Sequence, residues 1–220
     1  MQYVQWALWA IGIFLLVITI RVMLRGAVRR FPLVFLWCVV SLLGTIVQIA
    51  APARNVAARY YWYTEQIEQT LVYCIVFVLI HRSLSPERRA RVGRWLIAAA
   101  VAIAIISATA HRDEKLLSLW MTKLSRDLNF TAAILDLMLW TILIASRRND
   151  RLLLMISGGL GIKFAGAALG HSILTMADKS YLLLVAGGLI VVITYLVCVY
   201  IWWEAFRRND APPTALAARL

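Results

Sequence analysis

Tyr181-Leu-Leu-Leu-Val-Ala-Gly-Gly-Leu-Ile-Val-Val-Ile-Thr-Tyr-Leu-Val-Cys-Val-Tyr-Ile-Trp-Trp203 runs for 23 residues without an Asp, Glu, Lys, Arg or His. A bilayer-crossing helix needs about 20 predominantly apolar residues, because about 1.5 Å of rise per residue then covers the hydrocarbon core. Six further stretches meet or approach that specification: residues 4–22, 32–51, 59–80, 95–110, 129–146 and 152–172. The fourth is the shortest and the third the most polar. Composition agrees, since 62% of the 220 residues are hydrophobic, only 15% are charged, and mean hydropathy is +0.78. A soluble domain is about 45–50% apolar and about 25% charged, and a disordered chain is far less hydrophobic. The expected fold is therefore all-α: one domain over residues 1–208, a polytopic bundle of seven transmembrane helices, followed by a short tail, 209–220.

The formal charge of +12 would point to nucleic acid in a soluble protein. Here the charges occupy short segments between apolar runs, where cytoplasmic loops collect Lys and Arg. Fifteen basic residues fall after spans 1, 3, 5 and 7, among them Arg21, Arg25, Arg82, Arg94, Arg147 and Arg207. Seven fall on the other side, and Lys163 lies inside a span. This asymmetry predicts a multi-pass protein of a bacterial inner membrane, N-terminus outside and C-terminus cytoplasmic. The first span reads as an anchor, because no positive region precedes it and Arg21-Val-Met-Leu-Arg25 follows where a cleavage site would need small residues.

Trp6, Trp9, Trp62, Trp95, Trp120, Trp202 and Trp203 fall near expected interfaces, where amphipathic rings are favoured; Trp37 and Trp140 lie deeper. Between spans 4 and 5, Leu116, Leu117, Trp120, Met121 and Leu124 recur at helical spacing. That pattern predicts a separate helix over 114–125 lying in the outer interface, or an extended cap over the bundle.

Ionisable side chains at membrane depth are costly and mark function by default. Counting at about 1.5 Å per residue puts Glu65, Glu68, Asp136 and Lys163 at similar depths, roughly 10–14 Å below the outer face. Glu65 and Glu68 share a helix face, and Tyr61, four residues before Glu65, extends it. The spacing predicts an intramembrane Asp136–Lys163 ion pair, since these two sit on consecutive spans joined by a short turn. With three acids and one base, one carboxyl is left to hold a proton, a cation or a ligand. A purely structural network that fixes helix register is the other reading of the same residues.

Tyr60-Tyr-Trp-Tyr-Thr-Glu65-Gln-Ile-Glu68-Gln-Thr70 carries polar groups on more than one face, which lipid cannot satisfy. This predicts an outward-facing cavity beside span 3, with Gln48, Gln69, Asn129 and His171 on its rim, suited to a cationic or polar small molecule. Gly161, Gly166 and Gly170 make a small-residue face on span 6 for close helix packing, and Gly187 and Gly188 do the same on span 7. Cys38, Cys74 and Cys198 all lie in apolar spans, so no disulfide is expected. No catalytic motif, metal site or cofactor signature is present, and enzyme status leans negative. Expected partners are the lipid bilayer and partner subunits or further copies of the chain, with no nucleic acid.

Arg30-Phe-Pro-Leu-Val-Phe35, Tyr60-Tyr-Trp-Tyr-Thr-Glu65, Ser125-Arg126 and Gly161-Ile162 together resemble seven-helix membrane proteins of soil bacteria of the acidobacterial type. Lys163 departs from that pattern, which has a small residue there. The family carries no known activity, so the resemblance implies only the seven-span architecture. The functional expectation is a sensor-like or transport-like bundle that responds to a small molecule or ion. The alternative is a non-catalytic accessory subunit of a larger membrane assembly.

Overall fold

The computed structural model describes residues 2–50, 54–84, 117–145, 150–177 and 180–209, with 93–95, 98, 101–103, 105–107 and 109. Six long helices and one short one are complete: α1 (Gln2–Met23), α2 (Ala27–Arg30), α3 (Pro32–Ala50), α4 (Arg54–Ser83), α5 (Leu117–Ala145), α6 (Arg151–Met176) and α7 (Tyr181–Asn209). No strand occurs among the described residues. The described residues of 93–109 are helical, but the rest of the expected fourth span lies outside the described residues, as do 111–116 and 210–220.

Five helices are long and apolar enough to cross a membrane: α1, α3, α5, α6 and α7. The sixth long helix, α4, is too polar to join them by composition, and its burial pattern shows why. Tyr60, Tyr63, Ile67, Thr70, Cys74 and Val78 form an exposed stripe, while Gln69, Val72, Val76 and Leu79 are buried. Of the polar residues of α4, Gln69 is buried and Glu65, Gln66 and Glu68 are half-buried beside it, whereas Tyr60, Tyr63 and Thr70 are exposed. Elsewhere the outer surface is apolar, with Phe14, Ile134, Leu137 and Leu182 all exposed, as lipid contact requires.

The long helices close into a ring in the order α1, α3, α4, α5, α6, α7 and back to α1, with α6 packed most extensively on α7 and α5. One end of the ring is tied by a basic clasp. Gly26, at φ 154°, adopts a backbone open to glycine and turns the chain from α1 into α2. Pro32 then starts α3, where its missing N–H costs no helix bond. Arg30 reaches Asp150 at 2.7 Å, and Asp150 caps α6 by accepting from the Leu153 N–H. Arg82 donates to the Arg30 carbonyl at 2.8 Å, and Phe31 packs on Phe206 of α7.

Two expectations change here. Residues 117–125, expected as a separate interfacial helix, are the opening turns of α5 and run unbroken into the span. No Gly or Pro interrupts Ser125-Arg-Asp-Leu-Asn129, and Asn129 and Thr131 bond back to the Ser125 and Asp127 carbonyls four residues earlier. Trp202, expected at an interface, is fully buried: its indole N–H donates to the Ile156 carbonyl at 3.0 Å and its ring meets Trp37 edge-on at 5.1 Å. Gly159 makes the recess, since a Cβ there would stand 2.9 Å from the indole nitrogen.

The glycines of α6 serve two neighbours. A Cβ on Gly166 would overlap Thr194 of α7, and one on Gly170 would come within 2.8 Å of the Gly187 carbonyl. Gly161 instead faces α5, where a Cβ would stand 2.7 Å from the Asp136 carboxylate. Gly187 packs back against Gly170, whereas Gly188 has nothing within 4 Å.

Candidate functional site

Within the ring lies a cavity of about 170 Å³. Ser41, Thr45 and Gln48 reach it from α3, and Thr64, Glu65 and Glu68 from α4. Lys163 and Ala167 enter from α6, Tyr195 from α7, and Trp9 and Gly12 from α1. Ser41 is nine residues into α3 and Lys163 twelve into α6, so the site sits about 14–18 Å from the basic end, near the middle of a bilayer core. A close approach of α3 to α4 forms one wall, because a Cβ on Gly44 would overlap Thr64.

Hydrogen bonds fix one side of the cavity. The Ser41 hydroxyl donates to Glu68 Oε1 at 2.9 Å. Its only proton is then committed, so the Tyr195 hydroxyl, 3.0 Å away, donates to Ser41 Oγ. The Tyr195–Ser41–Glu68 chain orients the carboxylate from three helices. Opposite stands Lys163, whose side chain is largely buried. Its ammonium lies 5.7 Å from the centres of both the Trp37 and Phe164 rings, in reach of their negative faces. Among the described residues, Lys163 joins no ion pair, so this buried ammonium faces two carboxyls across open space.

The expected Asp136–Lys163 pair is not formed. Asp136 accepts from Ser157 Oγ at 2.8 Å and packs on Gly161, on the α5-facing side of α6. Lys163 follows Gly161 by two residues, which turns it about 200° around the helix at about 100° per residue, away from α5 and into the ring. Similar depth did not bring the two together, because depth says nothing of azimuth. The structure therefore gathers Glu65, Glu68 and Lys163 at one cavity and sets Asp136 apart. The Tyr61 side chain lies outside the described residues.

Of the expected rim, only Gln48 lines the cavity. Gln69, Asn129 and His171 are buried and do not line it. Ser41 and Tyr195 were not among the expected site residues. Ser41, Thr45 and Gln48 are spaced by four and three, a polar stripe on one face of an otherwise apolar helix, and that signal was available in the sequence. Tyr195, one of three tyrosines in the apolar run 181–203, carries no such signal.

Chemically, two carboxyls can hold an ammonium and one amine can hold a carboxylate, while Thr45, Gln48 and Thr64 supply neutral donors and acceptors. The described residues contain no group of His, Cys, Asp and Glu placed to hold a metal ion. The three cysteines are free, with Cys38 and Cys198 buried and Cys74 exposed. No family model, curated protein or solved structure matches this chain.

Proposed function

We propose that this protein is a seven-span inner-membrane bundle, N-terminus outside and C-terminus cytoplasmic, that binds a small amine or amino-acid-like zwitterion from the outer side. The role is sensor-like or transport-like, without catalysis. One observation carries the reading: a cavity deep in an apolar ring is lined by two carboxyls and a buried ammonium that joins no ion pair. Leaving charges apart in low dielectric is costly, and an occupant bearing the opposite charges removes that cost. At about 170 Å³ the space falls below the roughly 300–1,000 Å³ typical of drug-sized sites, which limits the ligand to a few heavy atoms. The clasp of Arg25, Arg29, Arg30, Arg82, Arg207 and Arg208 supports a cytoplasmic placement for that end.

Thermal unfolding of the detergent-purified protein with methylammonium, ethanolamine, glycine, alanine and acetate tests this directly. Amines or zwitterions raise the melting temperature, acetate alone does not, and Glu68→Gln loses the shift. No shift with any amine or zwitterion up to 100 mM, roughly, contradicts the reading, because even a millimolar site gives about 2.7 kcal/mol of stabilisation at a hundredfold excess. A glycine face on α6 free for another helix would favour the accessory-subunit alternative. Gly166 and Gly170 are occupied by Thr194, Val191 and Gly187 of α7, so this face does not support it.

A further inference from the structure

Apart from the cavity, four side chains converge where α4, α5 and α6 meet. Gln69, Ser125, Asn129 and His171 are each at most 3% exposed. Among the described residues, both amide atoms of Gln69, the Ser125 hydroxyl, Asn129 Oδ1 and His171 Nδ1 have no hydrogen-bond partner. Helix geometry turns them toward one another. At about 100° per residue, Gln69 sits between Glu65, which faces the cavity, and Tyr73, about 40° from each. Tyr73 meets α5 by donating to the Leu128 carbonyl at 2.6 Å, which sets the level of the two helices. Ser125 and Asn129 lie within about 20° of Asp136, the residue that touches α6.

On α6, His171 lies between the cavity-lining Ala167 and the α5-facing Gly161, about 40° from one and about 80° from the other. The level also matches. Ser125 and Asn129 precede Asp136 by 11 and 7 residues, and His171 follows Gly161 by 10 on an antiparallel helix, so all stand about 10–17 Å from the Asp136–Gly161 contact. Lys163 of the cavity and Arg126 of α5 both lie within electrostatic reach of the His171 ring.

A buried polar atom left without a partner is strongly unfavourable, and lipid offers none. Five such atoms at one junction require an occupant. They comprise an amide donor, two amide acceptors, a hydroxyl and an imidazole nitrogen that can act either way, and none bears a formal charge in its neutral form. This is the complement of water, which makes two to four hydrogen bonds to buried polar groups. We propose that the α4–α5–α6 junction is a second, uncharged site that holds a cluster of ordered water molecules bridging Gln69, Ser125, Asn129 and His171.

Two substitutions remove only atoms that have no protein partner: Gln69→Met and Ser125→Ala. If water bridges them, each lowers the melting temperature of the full-length, ligand-free protein, by about 2–4 °C, and the double variant loses less than the sum because one water cluster is lost only once. If the junction is dry, removing a stranded polar atom leaves stability unchanged or raises it. Unchanged, raised or additive melting temperatures overturn the proposal. A variant-free measurement accompanies them: radiolytic hydroxyl labelling of the native protein oxidises His171 while sparing Phe164, which is fully buried in the apolar core. Equal protection of both also overturns it.

Discussion

Lys163 is the side chain on which the functional reading turns. Its ammonium is buried, touches two aromatic faces and joins no ion pair. Lys163→Met removes a cation within electrostatic reach of Glu65 and Glu68 and should lower the melting temperature of the empty protein, because the buried carboxyls lose its compensation. The same change should erase the preference for a zwitterion over a plain amine, read as equal thermal shifts with glycine and methylammonium. Glycine positions give a sharper packing test. Gly166→Ala drives a methyl into Thr194 and should cost about 1–3 kcal/mol by chemical or thermal unfolding. Gly188→Ala meets nothing within 4 Å and should be neutral or slightly stabilising, since alanine favours helix by about 1 kcal/mol. A drop of equal size in both would mean that helix flexibility, and not close approach to α7, is what these glycines provide.

Among the elements, α6 bears separate duties at its start and on its α7 side, and each can be lost alone. Its start depends on Asp150, which caps the helix and pairs with Arg30. Asp150→Ala should cost about 1 kcal/mol, nearly all of it from the cap, because the ion pair is half exposed and such pairs contribute little. A double-mutant cycle with Arg30→Ala should accordingly give a coupling under about 1 kcal/mol. Its α7 side accepts Trp202 in the recess at Gly159. Trp202→Ala should cost about 3–5 kcal/mol through the void it leaves, and Trp202→Phe a smaller amount that includes the indole bond to Ile156. Of these features the cap was legible as Asp150 before an apolar run, whereas the Trp202 recess was not. An aromatic near a span end is equally suited to lipid headgroups or to a core, and only a glycine on the neighbouring helix separates the two.

For the molecule as a whole, the closed order of six helices explains why the polar residues of α4 are tolerated. Thr64, Glu65, Glu68 and Gln69 turn to the ring interior, the first three lining a charged cavity shared with α1, α3, α6 and α7. The proposed orientation puts the basic clasp in the cytoplasm. Reporter fusions after Arg208 should then behave as cytoplasmic, fluorescent with a green fluorescent protein and inactive with alkaline phosphatase. A fusion at Ala53, between α3 and α4, should give the opposite pattern. Reversal of both would put the opposite end of the ring in the cytoplasm and the cavity's open side with it.

The chain alone indicated an all-helical fold with long apolar helices suited to a membrane, because apolar runs such as Tyr181–Trp203 have no stable home but lipid or a large core, and backbone groups in lipid must close on themselves as helix. It also identified Glu65, Glu68 and Lys163 as costly groups at a common depth. Tertiary structure alone decided which of those groups meet. Asp136 and Lys163 share a level, but Lys163 leaves α6 about 200° around the helix from Gly161, the position that Asp136 touches. Depth follows from counting residues along one helix; azimuth follows from which neighbours that helix packs against, and that is a property of the assembled ring.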